Sequence, residues 1–478
     1  MNWKPTKQDK APMYEQIINY IREKITNGEW PVGSRLPSQR KLAEQFSVNR
    51  STVVTAMEEL AADGLIEGKT SRGTIVINNT WTILAATPPP DWNAYVKSGA
   101  HKPNRPIVQE INRVEAETEL IQLGKGEIAP ELFPTEEFAK VLGLVAGQVQ
   151  SLGYMEPKGL FPLRQAISHH LQTIGIHASP ASILVVSGAL QALQLIAIGL
   201  LHKGSTILLE KPSYLYSVNV FQSAGMRMFG LPMDENGISP QHISEQKRQR
   251  NAAMLYTNPS FQNPTSILMS EKRRKQLLQV CEDEQLPIVE DDVYRELWLN
   301  APPPAPLKAY DRNGQVLYVS SLSKTLGPGL RIGWITGPEP VIDRLADIKM
   351  QTDYGSSSLS QWTAAEWLSS GLYATHLDHV RKQLKIRKQT AIKALEKHVN
   401  GLAEWHEPQG GFFIWVKATF PLSMEALFEE ALAQGVLLYP GTIYASEQTF
   451  RISYSFASLE DIEQGIEIIG NILKCFAL

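Results

Sequence analysis

Several polar residues, far apart in the chain, each stand just past a short apolar run. Their types are those of amine and carbonyl chemistry. Lys324 closes "VLYVSSLSK", Asp291 closes "LPIVED" and Tyr294 follows three residues later. Tyr214 ends "STILLEKPSY", Asn263 ends "AAMLYTNPSFQN", and Arg331 lies seven residues beyond Lys324. A lysine amine can bond covalently to an aldehyde, and a carboxylate can pair with a ring nitrogen so that the ring withdraws electrons. A phenol can stack on such a ring, and an amide can donate to its oxygen. Singly, each residue has a plainer reading: Asp291 as a turn former, Tyr294 as core, Lys324 as solvated surface.

The elements that carry them favour the collective reading. From about residue 118 onward, "SILVV", "STILLE", "AAMLYT", "LPIVED", "VLYVSS" and "RIGWIT" are short apolar runs, several separated by helical stretches. That alternation predicts an α/β domain with a mostly parallel sheet, whose ligands sit at the carboxyl ends of the strands. After "SILVV" the glycine turn "SGALQALQL" at Gly188 feeds a helix, whose first N–H groups can hold a phosphate, although taken alone a packing turn is the plainer reading. Phosphate cradle, stacking ring, acid, phenol and lysine at successive strand ends match the needs of pyridoxal 5′-phosphate.

A separate constellation occupies the first 77 residues. Tyr14, Ile17, Ile18, Ile21 and Ile25 trace one face of a helix. Ser38 is placed to cap "QRKLAEQF", and Asn49 to cap a third helix whose apolar face is Val53, Ala56, Met57, Leu60 and Ala61. Gly64 stops that helix, and "LIEG" and "TIVI" then form two strands joined by "KTSRG". Three helices and a hairpin make a winged helix-turn-helix. Its third helix opens with Asn49, Arg50, Ser51 and Thr52, donors suited to base edges and phosphates. Lys69 and Arg72 lie at the wing tip, and Arg40 can clamp a backbone. Capping alone would be the plainer reading of that polar turn.

Composition sets the frame. The chain has 478 residues, 43% hydrophobic and 20% charged, with a net charge of −3. That is ordinary for soluble proteins and gives no overall attraction to nucleic acid. The first 77 residues carry eleven Lys/Arg against nine Asp/Glu, a weak local excess. Two cysteines, Cys281 and Cys475, make no disulfide framework and predict a reducing, cytoplasmic setting. Residues 184–201 are apolar enough to test as a membrane span, but their polar interruptions fit a strand followed by a helix better. Residues 78–117, with "TPPPDW" and "GAHKPNRP", read as a linker between domains 1–77 and 118–478. Trp81, Trp92 and Tyr95 suggest that the linker docks somewhere.

The string "LPSQRKLAEQFSVNRSTVVTAMEELAADGLIEGKTSRGTIV" resembles the DNA-binding domain of the GntR family. The DNA-facing set is then Ser38, Arg40, Asn49, Arg50, Ser51, Thr52, Lys69, Arg72 and Gly73. Residues 118–478 resemble fold-type I aminotransferases. That resemblance implies Lys324 as the Schiff-base lysine and Asp291 as the pyridinium partner. It implies Asn263 and Tyr294 on the ring hydroxyl and Tyr214 stacked on the ring. Ser321, Ser323 and Arg331, with the backbone of Gly188, Ala189 and Leu190, would hold the phosphate. Tyr154 in "GYMEPKGLFPLR" would reach into a second subunit's site, implying a homodimer. Arg451 in "TFRISYS" would take a substrate carboxylate. One departure is Ser266, where that family usually has glycine after "NPT".

Together the two halves resemble the MocR subfamily. The resemblance implies a pyridoxal-phosphate-dependent regulator of operator DNA that senses a small amine, an amino acid or the cofactor itself. Two other readings stand beside it. One is a working aminotransferase with an accessory DNA-binding domain. The other is an enzyme fold kept only for dimerisation, which has no need of Lys324, Asp291 and Arg331 together.

Overall fold

The computed structural model describes residues 3–6, 8–69, 73–79, 90, 92–99, 101, 103–151 and 153–477. The chain divides into two compact units, Met1–Ala100 and His101–Leu478.

In the first unit, α1 (Met13–Thr26) buries Ile17, Ile18, Ile21 and Ile25, the stripe its spacing dictates. Helix α2 (Gln39–Phe46) starts at Ser38, whose Oγ accepts from the Lys41 N–H at 3.3 Å. It stops at Ser47, which adopts a left-handed conformation. Helix α3 (Arg50–Ala62) turns Val53, Ala56, Met57 and Leu60 inward. Gly64, at φ +69°, then lets the chain reverse into β1 (Ile66–Lys69), which pairs antiparallel with β2 (Gly73–Val76). One core unites the three helices with Ile66 and Val76. Trp3 seals its edge by stacking on Tyr20 at 4.3 Å.

The stretch read as a linker is partly structured. Helix α4 (Trp92–Ser98) leaves Trp92, Tyr95 and Val96 exposed, so the docking expected of these aromatics is not seen among the described residues; Trp81 lies outside them. Helix α5 (Pro106–Val114) belongs to the second unit. Its Val108, Ile111 and Val114 pack against Phe428, Leu437, Ile443 and Tyr444. Proline and glycine punctuation hid it, because the apolar partners of this nine-residue helix lie more than 300 residues away.

The second unit is built on eight strands: β3 (Ile183–Val186), β4 (Thr206–Lys211), β5 (Arg227–Asp234), β6 (Gly237–Ile238), β7 (Ala252–Thr257), β8 (Ile288–Asp291), β9 (Val316–Ser321) and β10 (Gly333–Thr336). Their order is β3-β10-β9-β8-β7-β4-β5-β6. Strands β9, β8, β7, β4 and β5 run parallel in the centre, largely apolar because both faces are covered. Strand β10 is antiparallel to both neighbours. The short connection after Ser321 carries no crossover helix, so the chain must return in the opposite direction. That return loop contains Lys324. Helix α6 (Ala189–Leu200) leaves the end of β3 through Gly188 at φ +90°.

Four further strands, β11 (Ala403–Trp405), β12 (Phe413–Ala418), β13 (Tyr439–Pro440) and β14 (Thr449–Ser453), form an antiparallel sheet in the order β11-β12-β14-β13. Helices α7 (Leu372–His398) and α8 (Leu459–Ala477) share its core through Val380, Leu384, Ile462 and Ile466. No helix among the described residues is long and apolar enough to cross a membrane.

Candidate functional site

The ends of β4, β7, β8 and β9 converge on a cavity of about 620 Å³. Lys324, Asn263, Tyr214, Tyr294 and Arg451 all line it, although up to 237 positions separate them. Lys324 Nζ donates to the Gly126 carbonyl at 2.8 Å and sits 5.9 Å from the Tyr294 ring centre. Burial, then the Arg451 charge, lowers the Lys324 ammonium to about 8, against the opposing pull of Glu127, Glu115 and Asp291. The lysine is thereby kept close to its nucleophilic, uncharged form.

Asp291, at the tip of β8, is 6% exposed. Burial pushes its carboxyl up to about 6, against the Tyr256 hydroxyl that donates to Oδ2 at 2.8 Å. The other oxygen, Oδ1, is buried without a hydrogen-bond partner. A buried acceptor in that state is unusual and has room for a further donor; Asp292 Oδ1, next in the chain, is in the same state. Behind it, the Asn258 amide donates to the Asp291 carbonyl at 2.5 Å and accepts from the Asn263 N–H at 2.8 Å. Glu210 accepts from Thr257 and the Asn258 N–H, so the strand-end turn hangs on one buried carboxylate. Burial pushes that carboxyl up to about 7.

Asn263 and Tyr294 were expected on a ring oxygen. In the chain as it stands, Asn263 Nδ2 donates to the Tyr294 hydroxyl at 3.2 Å while its Oδ1 accepts from Arg451 Nη1 at 2.8 Å. Arg451, on β14, also donates to the Gly124 carbonyl at 2.6 Å. Its guanidinium lies 3.8 Å from the Phe413 ring, 4.7 Å from Tyr439 and 5.2 Å from Tyr444. Its Nε is buried and unpartnered. Three aromatic faces hold the fork rigid and dry, which suits a planar anion.

The residues expected to hold a phosphate lie where β3, β9 and β10 meet, and of them only Leu190 lines the cavity. Ser321 Oγ bonds Ser323 Oγ at 2.8 Å and the Ile332 carbonyl at 2.9 Å. Arg331, in left-handed backbone at φ 54°, donates to the Ser187 carbonyl at 2.6 Å. Gly188, at φ +90°, occupies backbone that other residues rarely adopt, and a side chain there would also crowd Arg331 Nη2 at 2.9 Å. Ala189 and Leu190 begin α6, where backbone N–H groups have no intrahelical acceptor. Tyr154 does not line the cavity; it is 83% exposed and meets Tyr354 at 5.0 Å. Ser266 keeps a left-handed turn at φ 58° and bonds the Phe413 carbonyl at 2.7 Å, so the turn survives without glycine.

In the first unit, Ser38, Arg40, Asn49, Arg50 and Ser51 stand around the starts of α2 and α3, with Arg50 and Ser51 exposed and Thr52 half-buried. Asn49 stands at the cap position but makes no capping bond, contrary to the capping role expected for it. Arg40 Nε pairs with Glu44 at 3.2 Å on the open surface. Lys69 ends β1 opposite Gly73 across the hairpin, while Arg72 lies outside the described residues. Arg35, not singled out from the sequence, sets its guanidinium about 3.0 Å from where a Gly73 side chain would be. Likewise unanticipated were Tyr256, Asn258, Glu115 and Tyr439, whose roles depend on partners distant in sequence. An aromatic hydroxyl at the penultimate position of a buried strand was the one available sign for Tyr256.

Residues 118–469 match the family model "Aminotransferase class I and II", and residues 13–76 match "Bacterial regulatory proteins, gntR family". The uncharacterized HTH-type transcriptional regulator YdfD of Bacillus subtilis (strain 168) is 58% identical over 470 residues, 98% of each chain. The HTH-type transcriptional regulator NorG of Staphylococcus aureus (strain N315) is 34% identical over 452 residues, 92% of this chain and 99% of its own. Among solved structures, Pyrococcus horikoshii kynurenine aminotransferase superposes with a TM-score of 0.77 at 28% identity, covering 81% of this chain and 99% of its own. The α-aminoadipate aminotransferase LysN of Thermus thermophilus gives 0.71 at 30% identity, over 83% and 99%.

Proposed function

The chain belongs to the HTH-type transcriptional regulators of MocR architecture, a GntR winged helix joined to a class I and II aminotransferase domain, and from that premise we propose that its second unit binds pyridoxal 5′-phosphate and reports a small amine to operator DNA. One observation carries the cofactor reading: Asp291 Oδ1 is buried and unpartnered, on a carboxylate outside the cavity lining but close enough to interact electrostatically with Lys324, which lines it. A protonated ring nitrogen is the donor that this oxygen lacks. When bound, the cofactor supplies an aldehyde for covalent capture of amines and a ring that draws electrons away.

The chain's own residues do the rest. Lys324 would offer its amine, Asp291 would hold a proton on the ring nitrogen, and Tyr214 would supply the aromatic face for the ring. Asn263 and Tyr294 orient the ring oxygen. Ser321, Ser323, Arg331, Gly188 and the first N–H groups of α6 take the phosphate. Arg451 receives the carboxylate of an amino acid effector through a fork already held in place by its aromatic walls. Arg50 at the start of α3, with Lys69 and Arg72 on the wing, provides the DNA contacts. A homodimer completes the assembly; Tyr154, Tyr354 and Leu359 form an exposed apolar patch of the kind a second copy covers.

The test is to load the purified protein with pyridoxal phosphate and titrate amines, following visible absorbance and operator affinity together. Absorbance and affinity should change in parallel. An operator affinity indifferent to cofactor and to every amine would overturn the reading. The same constellation also serves transamination, and the enzyme reading is favoured by the intact set of Lys324, Asp291 and Arg451. Steady-state turnover with amino donors and keto acids separates the two.

A further inference from the structure

The cavity is lined by more than the residues proposed for the cofactor: α5 and the residue that caps its end also face it. Val108, Ile111 and Glu115 face the same space as Lys324 and Arg451. We propose that the effector is a dibasic α-amino acid, of the ornithine or lysine class, whose distal ammonium is selected by Glu115. The proposal rests on the amine-sensing reading above and adds the class of amine.

Charge and polarity in the lining carry it. The lining holds two carboxylates, Glu115 and Glu127, and two basic groups, the Lys324 amine and the Arg451 guanidinium. In the reading above both basic groups are spoken for: Arg451 by the ligand carboxylate, Lys324 by the cofactor. The two carboxylates then remain without a full partner. Glu127 lies only loosely near Lys125, at 4.0 Å. Glu115 Oε1 accepts from the Tyr439 hydroxyl at 2.7 Å, which leaves most of the acceptor capacity of a carboxylate open. Its charge is felt across the cavity, opposing the lowering of Lys324 and adding to the burial that raises the phenols of Tyr439, Tyr214 and Tyr444.

The spacing of head and tail follows from one tyrosine. Tyr439 puts its ring 4.7 Å from the Arg451 guanidinium and its hydroxyl on Glu115. Its ring can pack there because Gly124 has no side chain; a Cβ would fall 2.3 Å from the ring. Val108, Ile111 and Ile443, apolar members of the same lining, suit a methylene stem between the two charged ends. An acidic side chain would meet two carboxylates, and a neutral aliphatic one would leave Glu115 desolvated without a cation.

The experiment uses the full-length protein loaded with cofactor and titrates ornithine, norleucine and glutamate by calorimetry, with operator affinity as the second readout. Ornithine should bind at least about tenfold more tightly than either other amino acid. Glu115→Gln, close in shape, should bring ornithine and norleucine together, and Glu115→Lys should move the preference toward glutamate. Far-UV circular dichroism verifies folding of both variants. Norleucine or glutamate binding as well as ornithine in the unaltered protein, or an undiminished ornithine preference in Glu115→Gln, overturns this proposal and leaves amine sensing intact. Absence of heat and of any operator response with all three amino acids overturns this proposal, and only the same silence toward cofactor and every amine of the wider titration overturns amine sensing, which separates the two failures.

Discussion

The two units carry their chemistry in opposite ways. In the first, the side chains proposed to face DNA are exposed: Arg50 and Ser51 stand outside a core built from other residues. In the second they are buried. Asp291, Asn263 and Arg451 are at most 7% exposed, and each is held by other residues of the site. Exposed donors can be replaced one at a time, with losses limited to the contact removed. Buried donors hold one another, so a single change releases several.

The sharpest test of that contrast is Lys324→Ala. Borohydride should fix pyridoxal phosphate to the native protein at Lys324 and fix none to the variant, while the winged unit still binds operator. A trapped adduct on another lysine breaks the assignment. Next in size is the exposed pair. Arg50→Ala should relax sequence preference by about 1–3 kcal/mol where it meets a base edge, and Arg72→Ala should lower the salt slope by about 1. Unchanged operator affinity in the double variant would remove the DNA surface from α3 and the wing.

A third test uses pH. The uncharged lysine is the form that attacks. Burial, then Arg451, lowers Lys324 to about 8, so cofactor capture should rise through neutrality and level off above that pH. From pH 7 to pH 9 the uncharged fraction grows by about tenfold for such a group, and by about a hundredfold for an ordinary lysine. Stopped-flow absorbance distinguishes the two; a rate still climbing in proportion between about pH 8 and 10 would mean an unperturbed lysine. The smallest effect is expected for Ser266→Gly. It relaxes a left-handed serine but loses the bond to Phe413, so denaturant unfolding should shift by less than about 1 kcal/mol.

How much of this was legible in the sequence follows the same division. The stripe Ile17, Ile18, Ile21 and Ile25, the Ser38 cap and the Gly64 stop depend on neighbours within a turn or two, and spacing reveals them. Lys324 and Asp291 were readable because a polar residue at the end of a buried strand has few places to go. The pairing of Tyr439 with Glu115 spans 324 residues, and that of Arg451 with Gly124 spans 327. No local pattern encodes either. Helix α5 was hidden for the same reason, since its apolar face makes sense only beside Phe428 and Tyr444. The antiparallel β10 was a matter of connection length, which the run "RIGWIT" does not display.

Ser266 has a consequence for how such a chain can change over generations. Its hydroxyl is anchored on the carbonyl of Phe413, a backbone atom present whatever side chain stands there. A glycine at this turn could therefore become serine in one step, with no second substitution arranged beforehand. The reverse step is equally open, whereas alanine would inherit the left-handed strain without the bond that offsets it. The position should drift between glycine and serine and exclude most other residues.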